Sequence, residues 1–230
     1  MPPNWRPRAC CSCRRRDVVR LKLTEIFRSL QGEADTAGMP TVFVRLTGCP
    51  LRCTYCDTAY AFHGGEWATV EEVVRKVRDF ATHHVCVTGG EPLAQKGCVA
   101  LLGRLCDEGL RVSLETSGAM SLAGVDPRVV LVVDVKTPGS GEESRNRYQE
   151  LQQLSLKDLV KFVICGREDY EWSRAKLDEL QLAARCTVLF SPSHEQLPPG
   201  QLADWVLEDH LPVRLQIQLH KYLWGNVAGR

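Results

Sequence analysis

The strongest constraint on how this chain can fold is a pattern that begins near residue 41, where short apolar runs rich in Val and Leu alternate with longer stretches of helical periodicity. The runs at 41–46, 84–88, 111–115, 129–135, 159–164, 187–190 and 214–219 read as strands. Segments 69–81, 94–108, 144–154, 168–184 and 199–210 read as helices, the first opened by Thr69 and Glu72 in the spacing of a capping box. Strands that are almost continuously apolar are covered on both faces, and strands separated by helices pair in parallel. The expectation is an α/β fold, an open or partial β/α barrel of about six parallel strands, because a closed barrel of eight units needs about 250 residues and the whole chain has 230. With no internal repeat and no interdomain linker, residues 21–230 are expected to form one domain.

Residues 1–20 carry three prolines and six arginines with little apolar periodicity, which reads as a flexible basic N-terminal extension outside the fold. Over the whole chain 29 Lys and Arg face 28 Asp and Glu, a balance that argues against a nucleic-acid partner. No apolar run reaches the roughly 18 residues of a membrane span, and the N-terminus lacks the apolar core of a secretory signal, so a cytoplasmic protein with no membrane partner is expected. In that compartment eleven cysteines are thiols rather than a disulfide framework, and the question becomes which of them cluster. Cys10, Cys11 and Cys13 have no second ligand pair nearby and read as part of the tail. Cys86, Cys98, Cys106, Cys165 and Cys186 stand alone in strand or helix patterns and read as small core residues.

Cys49, Cys53 and Cys56 are different. They directly follow the first apolar strand, at the end where a β/α barrel carries its active-site loops. A structural zinc takes four ligands, and the one candidate for a fourth is His63. Three thiolates suit instead a four-iron cluster with one iron left open. A zinc-stabilised binding module is therefore the alternative from another functional class, and metal analysis separates the two.

The spacing Cys49-xxx-Cys53-xx-Cys56, with Tyr55 before the last cysteine, resembles the cluster loop of the radical S-adenosylmethionine (SAM) superfamily. Thr88-Gly89-Gly90-Glu91-Pro92, after the second strand, is similar to that superfamily's glycine motif, where bare backbone comes close to a ligand. Further segments narrow the resemblance: Glu25-Ile26-Phe27 leading into Ser29-Leu30-Gln31-Gly32-Glu33, Phe43-Val44-Arg45-Leu46, Cys56-Asp57-Thr58, Leu114-Glu115-Thr116-Ser117-Gly118, Asp134-Val135-Lys136 and His220-Lys221-Tyr222-Leu223. Together they resemble the 7-carboxy-7-deazaguanine synthases of queuosine and 7-deazapurine biosynthesis, over Leu23 to about Leu223. Glycyl-radical activases, the neighbouring alternative, share the cysteine loop and glycine motif but lack the Leu-Gln-Gly-Glu segment and the His-Lys-Tyr ending.

The resemblance implies a radical SAM lyase with a 4Fe-4S cluster, SAM and Mg²⁺. Its substrate would be 6-carboxy-5,6,7,8-tetrahydropterin, whose ring is contracted to 7-carboxy-7-deazaguanine with loss of ammonia while SAM is regenerated. It implies cluster ligation by Cys49, Cys53 and Cys56, with SAM contacts from Tyr55, Cys56, Asp57, Gly90, Glu115, Ser117, from Asp134, Val135 and Lys136, and from Ser191, Pro192, Ser193 and His194. Leu30, Gln31, Gly32, Glu33, Arg45, Thr88 and His220 would bind the substrate, Arg45 by a bidentate pair with its carboxylate. Thr58 would contact Mg²⁺, for which a hydroxyl and waters form a normal hard-ion shell. Partners implied are the pterin, an electron donor such as flavodoxin or ferredoxin, and a second copy in a homodimer. Trp224 to Arg230 continue past the point where relatives can end, which puts a terminal-carboxylate contact with substrate in question.

Overall fold

The structure, a computed structural model, describes residues 18–225, 227 and 229. The Cys10, Cys11 and Cys13 trio lies outside the described residues. Arg20, which composition groups with the tail, instead opens β1 (Arg20–Leu30), paired antiparallel with β2 (Pro40–Leu46) on one side and β3 (Glu66–Thr69) on the other. Neither β1 nor β3 stands among the expected strands. In β1, Leu21 and Leu23 are buried while Lys22 and Thr24 are partly exposed, so it lacks the continuous apolar run that marks the parallel strands. Next come α1 (Val70–Arg78), β4 (His84–Gly89), α2 (Cys98–Asp107), β5 (Arg111–Ser117), β6 (Val130–Val135), β7 (Leu159–Ile164), α3 (Arg167–Glu179), β8 (Thr187–Pro192), α4 (Pro199–Glu208), β9 (Arg214–Leu215) and α5 (Leu219–Trp224). The nine strands form one sheet in the order β3-β1-β2-β4-β5-β6-β7-β8-β9, parallel from β2 to β9 and open between β3 and β9. The open, mainly parallel α/β architecture is as expected, with seven parallel strands, the last only two residues long.

Where helices depart from expectation, side chains compete for the backbone. The helix expected at 144–154 is two separate 3-10 turns, Glu143–Arg145 and Tyr148–Gln153. Between them Asn146 pairs with both the N–H and the carbonyl of Lys136, at 2.9 and 2.8 Å, and the Arg147 N–H donates to Gly118. In the stretch expected to be helical from 94, Gln95 is extended so that its amide bonds Lys22 and Thr47 across the sheet, and α2 starts only at Cys98. The expected helix 168–184 ends at Glu179, ahead of Gln181 in a left-handed conformation, and resumes as a 3-10 turn, Leu182–Ala184. The expected strand 214–219 stops after Leu215, because the Gln216 side chain brackets Ala34 through both its N–H and its carbonyl and the chain then turns into α5. The capping box forms as expected: Thr69 Oγ1 accepts from the Glu72 N–H, and the Glu72 carboxylate accepts from the Thr69 N–H at 2.8 Å.

The two faces of the sheet divide the work. On one face Val44, Val87, Leu114, Val133 and Phe162 are buried in the same core as Val73 and Val77 of α1, Leu102 of α2 and Leu202 of α4. The other face changes along its height. Toward the N-terminal ends of the strands Val130, Val132, Leu159 and Leu189 close over Ala34 in a second apolar cluster. Toward the C-terminal ends it carries charge: Glu25 stands opposite Arg45, Arg45 beside Thr88, Ser117 beside Asp134 and Asp134 beside Lys161. Among the described residues no helix is long and apolar enough to cross a membrane.

Candidate active site

At the C-terminal ends of the strands this charged face opens into a cavity of about 630 Å³, within the ordinary range of a ligand site. The cysteine loop forms one wall. Backbone pairing shapes it from below, with the Gly48 N–H bonded to Ala61 and the Glu91 N–H to Gly48, both at 2.8 Å. From the side, Thr54 bonds Ser140 through its N–H and Gly139 through its hydroxyl, tying the loop to the turn that follows β6. The Arg52 guanidinium donates to the carbonyls of Cys49 and Leu51 and lies 4.3 Å from the centre of the Phe62 ring. Cys49, Cys53 and Cys56 are free thiols, half-buried, and all three reach the cavity. Burial pushes the thiols of Cys49 and Cys53 up, so binding iron as thiolates must release protons.

The donor set fits an iron–sulfur cluster. Among the described residues no three His, Cys, Asp or Glu side chains are grouped to hold a single metal ion, whereas a cluster takes each thiolate on a separate iron. His63, the candidate fourth zinc ligand, is exposed and lies off the cavity wall. The wall beside the thiols also fits a SAM-sized ligand. A Cβ at Gly90 would stand 2.3 Å from the Gly48 carbonyl oxygen and 2.9 Å from Cys49 Cβ, so only glycine lets this backbone lie against the cysteine loop. Tyr55 Oη and Asp134 Oδ1 are buried with no hydrogen-bond partner among the described residues, and both residues line the cavity. Burial opposes the charge of Lys136, but Asp134, 3.1 Å away, and Cys53 outweigh it and raise its pKa, which keeps it cationic.

Facing this wall is a second polar set. Glu115 accepts from Gln31 at 3.2 Å and from Thr88 at 3.1 Å, orienting both side chains. Glu33 is held by Lys161 at 2.6 Å and Gln218 at 2.8 Å; burial would raise its pKa, and the Lys161 charge and hydrogen bond hold it below the ordinary carboxyl value instead. Asp57 is likewise held low against burial by Lys221, 2.8 Å away on α5, and accepts from Thr58 at 2.9 Å. His220, on the same short helix, packs so closely that a Cβ at Gly32 would fall 2.1 Å from its Nδ1, and burial lowers its pKa so that the imidazole is neutral. Arg45 bonds Glu25 through Nε at 2.7 Å.

Of the cluster, SAM, substrate and Mg²⁺ residues implied by the resemblance, all reach the cavity except Val135, whose side chain is in the helix-covered core because it alternates with Asp134 along β6. Lys161, Gln218, Lys221 and Tyr60 also line the cavity, and Glu25 pairs with Arg45 at its edge. A charged residue inside an otherwise apolar strand, such as Lys161 in Leu159–Ile164, is a legible sign of an inward polar site. Gln218 and Lys221 carry no such sign, since they act through a segment distant in sequence.

Such a cavity, with three thiols and a glycine motif at the C-terminal ends of a partial barrel, defines a radical SAM enzyme, and the Radical SAM superfamily matches residues 43–132. The chain is 43% identical over 209 residues to the 7-carboxy-7-deazaguanine synthase of Chlorobaculum tepidum, covering 89% of this chain and 94% of that one. It is 43% identical over 219 residues to the enzyme of that name from Koribacter versatilis, covering 89% and 97%. The crystal structure of QueE from Escherichia coli shares the fold at a TM-score of 0.72 and 24% identity, over 87% of this chain and 95% of that one. The chain belongs to the 7-carboxy-7-deazaguanine synthase family, a 4Fe-4S and SAM-dependent lyase family, and the comparisons do not favour a glycyl-radical activase or a zinc module.

Proposed function

We propose that the chain converts 6-carboxy-5,6,7,8-tetrahydropterin to 7-carboxy-7-deazaguanine with loss of ammonia, for queuosine or other 7-deazapurine synthesis. What carries this reading is a single cavity shared by three free thiols, the glycine motif and an arginine facing the Gln31 loop. When bound, the cluster and SAM would supply the radical chemistry that removes hydrogen from C6 of the substrate. Cys49, Cys53 and Cys56 would hold the cluster, and the Gly90 backbone with Asp134 and Lys136 the methionyl end of SAM. Ser117, fixed by Glu91 at 2.6 Å, the 191–194 segment and Tyr55 complete that wall. Leu30, Gln31, Gly32 and Thr88 would read the pterin edge, with Gln31 and Thr88 pre-oriented by Glu115, which limits the rotamer freedom lost on binding. Arg45 would take the substrate carboxylate, and Thr58 would hold Mg²⁺. Neutral His220 of α5 and the Glu33–Lys161 pair line the far side, where Lys221 ties α5 to the exposed Asp57.

Residues 21–230 would act as one domain, reduced by flavodoxin or ferredoxin and paired as a homodimer, the latter checked by sedimentation. The deciding experiment is an anaerobic assay of reconstituted protein with the carboxytetrahydropterin, SAM, Mg²⁺ and a reductant, with iron and sulfide counted on the same sample. Product of the expected mass at four irons per chain supports the reading. Reductive SAM cleavage without that product would overturn the substrate.

A further inference from the structure

The guanidinium of Arg45 is already held on one edge. Glu25, its antiparallel neighbour on β1, accepts from Nε at 2.7 Å, and the same carboxylate oxygen accepts from the Tyr60 hydroxyl at 2.8 Å. The guanidinium carbon lies 5.7 Å from the centre of the Phe27 ring and 5.8 Å from that of Tyr60, so two aromatic residues flank it. Among the described residues its terminal nitrogens donate to nothing, and the Arg45 side chain borders the cavity. The Nε edge is satisfied, and the fork formed by the two terminal nitrogens is left for a planar anion. A free arginine side chain would pay rotamer entropy to reach this geometry, whereas here the ion pair and the rings have already set it. Tyr60 sits on the 3-10 turn Ala59–Phe62, immediately after Thr58, so the clamp is anchored to the loop that also carries the cluster thiols.

We propose that Glu25 and Tyr60 are positioning residues that lock Arg45 with its terminal fork presented to the substrate carboxylate. This rests on the reading of Arg45 as the carboxylate clamp, and it deepens that reading by assigning the residues that make the clamp selective for a carboxylated pterin. Neither residue needs to touch the substrate.

The test separates clamp from scaffold. Fluorescence titration would measure binding of oxidised 6-carboxypterin, and of pterin lacking the carboxylate, to wild type, Glu25→Gln, Glu25→Asp, Tyr60→Phe and Arg45→Met. Glu25→Gln should weaken 6-carboxypterin binding at least tenfold while leaving unsubstituted pterin within twofold, Tyr60→Phe should do the same more mildly, and Glu25→Asp should partly restore the loss. In the Arg45→Met background Glu25→Gln should cost nothing further, since the two act as one unit. In turnover the loss should fall on KM rather than kcat. Equal losses for both pterins, or additive losses with Arg45→Met, would reduce Glu25 to a fold residue and overturn the proposal, and Tyr60→Phe keeps the test open if Glu25 variants fail to fold. If wild type binds neither pterin, the substrate reading itself fails and takes the clamp with it.

Discussion

Individual side chains in this site are set by what they already bond. Among the described residues the three loop thiols have no disulfide partner, so replacing any one of Cys49, Cys53 or Cys56 by Ala should abolish the iron–sulfur absorbance and turnover together. Deleting residues 1–17, with Cys10, Cys11 and Cys13, should leave iron content unchanged, and a loss of iron in that deletion would move the ligand assignment. Buried Cys98 and Cys106 should be silent toward iron. Thr58 makes a subtler case. Its hydroxyl donates to Asp57, so its oxygen lone pairs are open to a hard cation. Thr58→Ala removes one neutral ligand from an ion that otherwise keeps water. Misplacing the substrate carboxylate by about 1 Å is expected to cost on the order of 100-fold in turnover, with the cluster intact. Titrating Mg²⁺ against product for both proteins tests this, and superimposable curves would take Thr58 out of the metal site.

Between elements, close backbone approach does what side-chain chemistry alone cannot. Gly90→Ala places a methyl group against the Gly48 carbonyl, and because that atom is backbone on the cysteine loop the loop must move. Iron per chain should fall after reconstitution, a loss that a variant confined to SAM contacts would not show. Gly32→Ala presses instead on the His220 imidazole, the movable end of a side chain on α5, so substrate affinity should drop while iron stays full. A common loss of iron in both variants would mean that the two walls are not independent. This division also explains what was legible in the sequence. Parallel strands, the cysteine loop and the glycine motif are local patterns and stand where spacing puts them. Strand β1 is half-buried and alternates, so it reads as polar, and the 143–153 segment has helical periodicity that Asn146 defeats by bonding Lys136. Gln218 and Lys221 reach Glu33 and Asp57 from a segment far along the chain, and Glu25 meets Arg45 across β1 and β2, contacts that no local window contains.

In the molecule as a whole, an open sheet has no barrel closure to hold its strands and flanking helix together, and ion pairs take that part. Lys161 on β7 bridges Glu33 and Asp134, 2.6 and 3.6 Å away, and Lys221 ties α5 to Asp57. Just before β7, Asp158 accepts from the Leu131 and Ser155 N–H groups, each at 2.9 Å, and pairs with Lys157 at 2.7 Å, joining β6 to β7. Burial alone would raise these carboxyls, yet their cationic and N–H partners hold Glu33 below its ordinary 4.5 and Asp57 and Asp158 below 3.8. With native values depressed, the unfolded chain takes up protons first as pH falls. The contribution to stability is therefore complete above the unfolded values and is lost as pH falls through the native ones. Thermal melts of the protein without cofactors should show these pairs contributing fully at pH 7, and Tm should fall increasingly below about pH 4.5. Asp158→Asn keeps the shape and removes the charge, so it should lower Tm markedly at pH 7 and progressively less as pH falls below 3.8, where the unfolded wild-type carboxyl takes up its proton. If the gap between the two proteins is as wide at pH 3 as at pH 7, the Asp158 charge is not what joins these strands, and shape and hydrogen bonding alone hold that end of the sheet.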